Sequence, residues 1–91
     1  MMYEIVSSTK FKKDLKLALK TNYDISLLEN IVAILAKGKQ LPSKNKDHTL
    51  SGNYANCREC HITSDWLLIY EFSENEHILY LIRTGTHSDL F

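Results

Sequence analysis

Apolar positions recur with two different periods along the chain, helical in the first third and strand-like in the last. Residues 2–6 (MYEIV) read as a short strand, and Ser7, Ser8 and Thr9 after it are N-cap candidates. Phe11, Leu15, Ala18 and Leu19 then fall on one face of a helix, with Lys12, Lys16 and Lys20 along another. Thr21-Asn22 interrupts the pattern. Asp24 or Ser26 caps a second helix, Ser26 and Glu29 standing at capping-box spacing. Its stripe is Leu28, Ile31 and Leu35, widened by Leu27, Val32 and Ile34, and Gly38 is a C-terminal stop. Two amphipathic helices joined by a short turn predict a helical hairpin packed on a sheet.

Residues 39–54 are polar, contain the only proline, and predict an ordered loop. Three strand-like segments follow at 57–62, 66–72 and 77–83, separated by turn-forming Thr63-Ser64-Asp65 and Ser73-Glu74-Asn75-Glu76. Connections this short favour an antiparallel meander. The closing TGTHSDLF is too short and polar to predict an element of its own. The fold class is α+β, one domain over 1–91 with a helical layer on one sheet.

The meander carries a geometric consequence. The strand at 66–72 runs about 20 Å away from Asp65, at roughly 3.3 Å per residue, and the strand at 77–83 runs back. Arg83 therefore returns to the end of the sheet that holds His61 and Asp65. His87 lies just beyond it, and the loop carrying His48 leads into the first strand of the meander. His77 belongs at the opposite end. Histidines beside an arginine suit RNA cleavage, where the ribose 2′-hydroxyl is itself the nucleophile. The protein then supplies a base, an acid for the leaving oxygen and positive charge for the phosphorane. Asp65 could orient an imidazole or take a proton. Trp66 and Phe91 offer faces for base stacking. Each residue also has a plainer reading: structural histidines, a turn-capping Asp65, a core Trp66, a packed Phe91.

Composition and charge adjust this picture. Residues 10–46 hold all nine lysines against Asp14, Asp24 and Glu29, a balance of 9 − 3 = +6. Residues 47–91 hold two arginines against seven acids, 2 − 7 = −5, and Glu4 brings the total to zero. A basic half of this kind can meet phosphates, although helix surfaces are often lysine-rich. No leader-like apolar run and no stretch of about 18 apolar residues occurs, which reads as cytoplasmic, where thiols stay reduced. Cys57-Arg58-Glu59-Cys60-His61 spells a haem-attachment or zinc-seeding pattern. On a strand, however, Cys57 and Cys60 point to opposite faces and cannot share a metal or a disulfide.

Four blocks then carry a resemblance: Lys46-Asp47-His48-Thr49-Leu50-Ser51-Gly52; Arg58-Glu59-Cys60-His61-Ile62; Asp65-Trp66-Leu67-Leu68-Ile69-Tyr70; and Arg83-Thr84-Gly85-Thr86-His87-Ser88-Asp89-Leu90-Phe91. In order and spacing they closely resemble the YafQ group of bacterial toxins in the RelE superfamily. The resemblance implies two N-terminal helices packed with a mainly antiparallel sheet of four or five strands. It implies a ribosome-dependent mRNA endonuclease with no cofactor or metal, held inactive by a cognate antitoxin, and an antitoxin complex that can contact operator DNA. Matched by motif, the acid–base residues fall on His48, His61, Asp65 and His87, the phosphate-stabilising arginine on Arg83 and the mRNA-contacting aromatic on Phe91. Trp66 and Lys46 join Phe91 as expected RNA-binding residues, and the other lysines would face ribosomal RNA. The alternative is a non-catalytic toxin like the ParE branch, which engages gyrase.

Overall fold

The computed structural model describes residues 2–91. A mixed five-stranded sheet is ordered β1-β5-β4-β3-β2, comprising β1 (Glu4–Ser7), β2 (His48–Thr49), β3 (Arg58–His61), β4 (Leu67–Ser73) and β5 (Ile78–Gly85). The edge strand β1 runs parallel to β5, and every other pairing is antiparallel. Helices α1 (Thr9–Lys20) and α2 (Ile25–Ala36) form the helical layer, and α3 (His87–Leu90) closes the chain.

Local chemistry explains the boundaries. Among the three cap candidates Ser8 wins: its Oγ accepts from the Phe11 N–H at 2.9 Å and donates to the Ile82 carbonyl at 2.6 Å, joining helix start to sheet. Asp24 rather than Ser26 caps α2, its Oδ1 accepting from the Ser26 N–H at 3.1 Å. Gly38 sits in the left-handed region at φ 72, and the Gly38 and Lys39 N–H groups bond back to Leu35 and Ile34, a Schellman stop.

The core lies between the helices and one face of the sheet. Phe11 and Ala18 of α1 and Leu28, Ile31 and Leu35 of α2 pack on Cys60, Leu68, Tyr70, Leu79 and Leu81. Leu19, expected on the buried face of α1, is 57% exposed; the helix rolls onto Phe11 and Ala18 instead. A smaller cluster of Cys57, Leu67, Ile69 and Leu90 occupies the other face. A bulge between Ile69 and Tyr70 shifts the β4–β5 register, so Ile69 pairs with Arg83 while Tyr70 pairs with Leu81.

Two expectations need correction. The loop 39–54 is ordered but not purely loop: it contains β2 and two single 3₁₀ turns at Ser43–Asn45 and Gly52–Tyr54. The tail is not featureless, because Thr86 and Asp89 form a reciprocal capping box that starts α3.

Candidate active site

The site lies at the β3–β4 turn end of the sheet, and the segment 43–49 is tied down twice before it delivers His48. Asn45 is buried and its Nδ2 donates to the His61 carbonyl at 2.7 Å. The Asp47 carboxylate accepts from Arg58 Nη2 at 3.0 Å, from Arg58 Nε at 3.3 Å, and from the Tyr70 hydroxyl. Burial and the Asp47 carboxylate push the Tyr70 phenol up, so it remains a donor, and the same carboxylate raises Arg58.

Strand alternation then turns His48 onto the other face, over Glu59, its register partner. His48 Nδ1 lies 2.7 Å from the Lys46 carbonyl and Nε2 lies 3.3 Å from Glu59 Oε1. Both ring nitrogens thus face acceptor oxygens, one on the backbone and one on a carboxylate. Glu59 is 5% exposed, and its Oε2 is buried with no hydrogen-bond partner among the described residues. A buried carboxylate is costly unless a charge or donor meets it, and His48 supplies that partner.

His61, two residues along β3 from Glu59, shares the face, and its ring centroid is 6.5 Å from that of His48. It stands between two clefts. One, of ≈ 550 Å³, brings His61, Asp65 and His87 together with Tyr23. The other, of ≈ 320 Å³, places His61 beside Lys44 and Lys46. His87 reaches the first cleft because the capping box starts α3 immediately after β5. Thr86 accepts from the Asp89 N–H at 3.2 Å while Asp89 accepts from the Thr86 N–H at 3.1 Å, and these bonds hold the Asp89 carboxyl below its usual range. Gly85 permits this fold-back: a Cβ there would meet Asp89 at 3.2 Å. Phe91 is 56% exposed, its ring centroid 4.8 Å from that of His87 and 5.6 Å from that of Tyr54.

Arg83 sits next to this group rather than in it. It pairs with Ile69 across the sheet, two rows in from the end, and lines a neighbouring cleft with Asp14 and Asp89; Tyr23 is common to both clefts. Its Nε and Nη2 hold Asp14 at 2.7 and 3.1 Å, and the same carboxylate accepts the Thr84 N–H at 3.1 Å. Asp14 raises the guanidinium further, and Nη1 takes no part in that fork.

Trp66 is a correction. It is fully buried and stacks on Tyr23 at 4.6 Å, so it is a core side chain and offers RNA no face. His77 lies at the opposite end as expected, stacked on Tyr3 at 4.1 Å. Cys57 and Cys60 are buried on opposite faces, in separate clusters. Burial pushes both thiols up, Cys60 to about 12, which leaves neither a reactive thiolate.

Asp14, Asn45, Asp47 and Glu59 take on roles only in three dimensions. Asp47 and Glu59 stand in the motif blocks beside His48 and His61, but nothing in their spacing told what each would pair with. The others depend on which distant elements meet.

The chain matches the family described as the bacterial toxin of type II toxin–antitoxin system, YafQ, over residues 3–91. It is 37% identical over 89 residues to the mRNA interferase toxin YafQ of Escherichia coli K12, covering 97% of this chain and 95% of that protein. A crystal structure of a metal-bound toxin from Helicobacter pylori superposes with a TM-score of 0.94 at 44% identity, covering 99% of this chain and 100% of that one. The crystal structure of the Escherichia coli DinJ–YafQ toxin–antitoxin complex gives 0.90 at 36% identity, with 100% of this chain and 99% of that one covered.

Proposed function

The chain belongs to the YafQ family of bacterial type II toxin–antitoxin toxins, an mRNA interferase by that kinship, and we propose that it cleaves messenger RNA on the ribosome by acid–base catalysis at the 2′-hydroxyl. The observation that carries this reading is the cleft in which His61, Asp65 and His87 meet, with His48 6.5 Å from His61.

In the step proposed, a base among His48, His61, Asp65 and His87 takes the 2′-hydroxyl proton. The 2′-oxygen attacks the adjacent phosphorus, and the P–O5′ bond breaks. A second member of the set protonates the departing 5′-oxygen, leaving a 2′,3′-cyclic phosphate and a 5′-hydroxyl. Imidazoles titrate near neutrality and suit both transfers. Arg83, held by Asp14 through Nε and Nη2, would present Nη1 to the phosphorane oxygens. Phe91, exposed above His87, would stack a base, and Lys46 would meet the backbone.

Nothing in this chemistry calls for a metal, and the single toxin domain 1–91 would work in the cytoplasm beside its ribosomal partner. The exposed lysines of α1 and of the segment that follows α2 would contact ribosomal RNA. An antitoxin partner goes with the family, and one of its structures shows a YafQ held by DinJ. The antitoxin complex would be the species that contacts operator DNA. Kinship with mRNA interferases favours RNA over gyrase as the target.

The test maps cleavage ends on a translated mRNA, with and without ribosomes, and repeats it with a single 2′-deoxy nucleotide at the cut. Cuts that require ribosomes, leave 2′,3′-cyclic phosphate and 5′-hydroxyl ends, vanish with the 2′-deoxy substrate and fall at least 100-fold in His87→Ala are expected. Cuts that survive 2′-deoxy substitution or leave 5′-phosphates would overturn the 2′-hydroxyl step; full activity in His87→Ala would overturn the site.

A further inference from the structure

The cleft on the far side of His61 has no role in the proton transfers, yet its composition is selective. Lys44 and Lys46 contribute ammonium groups, and Thr63 and Ser64 contribute hydroxyls; no carboxylate lines it. Both arginines are already engaged with carboxylates, whereas no lysine among the described residues has one within 4.0 Å. Within this cleft the cationic capacity therefore rests with Lys44 and Lys46, since Arg83 lines the one with Asp14 and Asp89.

The cleft is also built in advance. Lys46 adopts a left-handed backbone at φ 48, ψ 44, which a non-glycine residue keeps only when its surroundings impose it. Here three contacts impose it: Asn45 Nδ2 on the His61 carbonyl at 2.7 Å, His48 Nδ1 on the Lys46 carbonyl at 2.7 Å, and the Asp47–Arg58 pair at 3.0 Å. His61 and Ser64 line both this cleft and the one that holds Asp65 and His87, so a strand crossing one enters the other.

We propose that the Lys44–Lys46–Thr63–Ser64 cleft is a subsite for an RNA phosphodiester next to the scissile one. This rests on the nuclease reading above and adds where the flanking backbone lies. Two ammonium groups with hydroxyl donors and no competing carboxylate match a monoanionic phosphate, and such contacts position the strand without reading its bases.

The test is a protein–substrate cycle. Synthetic mRNAs carry one neutral methylphosphonate, placed in turn at each linkage within three of the cut, and are presented on ribosomes to the wild type and to the Lys44→Gln/Lys46→Gln double variant. At one neighbouring linkage the neutral substitution lowers wild-type kcat/KM about ten-fold. The double variant loses about as much on natural mRNA and nothing further on that substituted one. If it stays sensitive at every linkage, the lysines act only through a general field and the subsite is wrong. The same cycle is read without ribosomes as oligonucleotide binding to the His87→Ala protein. A chain that cleaves nothing but still shows the one-linkage signature there fails the nuclease reading and keeps the subsite.

Discussion

The two faces of the sheet are built from the same strands and do different work. Toward α1 and α2, Cys60, Leu68, Tyr70, Leu79 and Leu81 are buried and apolar apart from one phenol, and Trp66 joins them. On the opposite face, Glu59, His61 and His48 stand above a smaller apolar patch of Leu67, Ile69 and Leu90. Strand β3 shows the division within four residues: Cys60 lies under the helices, while Glu59 and His61 on either side belong to the opposite face, where His61 lines both clefts. One face can therefore be filled for stability while the other keeps polar groups poised, provided that each buried charge finds a partner from another element. Arg83 does this for Asp14, Arg58 for Asp47 and His48 for Glu59.

The sharpest way to break this comparison is Trp66→Ala. If Trp66 belongs to the helix-facing core, removing its indole costs about 3–5 kcal/mol of stability, read by chemical denaturation. The fraction that remains folded should cleave at a near-normal specific rate. Normal stability with lost RNA affinity would return Trp66 to the clefts and erase the division.

A smaller effect tests the charges that cross between faces. Asp14→Ala strips Arg83 of its fork and leaves the Thr84 N–H without its acceptor, for an expected loss of about 1.5–3 kcal/mol. Cleavage should fall beyond what the unfolded fraction explains, because Arg83 loses its fixed direction. A drop in stability with unchanged kcat would make Asp14 a structural staple only.

Much of this was legible in the sequence because periodicity reports local neighbours. The two helices, the three meander strands, the opposite placement of Cys57 and Cys60, and the remote position of His77 all follow from spacing and strand direction. The strand at 2–6 was legible too, without its place in the sheet, and the resemblance to toxins added a fifth as a number only. What stayed hidden involves meetings between distant segments: β1 beside β5, the two-residue β2 inside a polar loop, and the carboxylates of Asp14 and Asp47 under their arginines. Trp66 misled because it opens an apolar strand next to Asp65, where one residue of alternation decides between core and cleft. The tail misled for another reason: a four-residue helix has no period to detect, and only the Thr86–Asp89 spacing announced it.

That capping box offers the finest probe of the polar face, since α3 carries His87 and leads into Phe91. The Asp89 carboxyl is held below its ordinary value of 3.8 by the bonds it makes with Thr86. Its contribution is therefore present above about pH 4 and is lost as the pH falls below 3.8 through the lower folded value, with no counterpart on the alkaline side. Thr86→Ala removes the other half of the box at a local cost of about 1 kcal/mol. Because α3 is one turn long, the loss should be confined to the chain end: amide exchange should quicken at Leu90 and Phe91 and leave β4 unchanged. In the variant, the acid-side change in those amides should vanish. If it persists, the fraying has a cause other than Asp89, and if β4 amides quicken with it, the end of the polar face is not separable from the core.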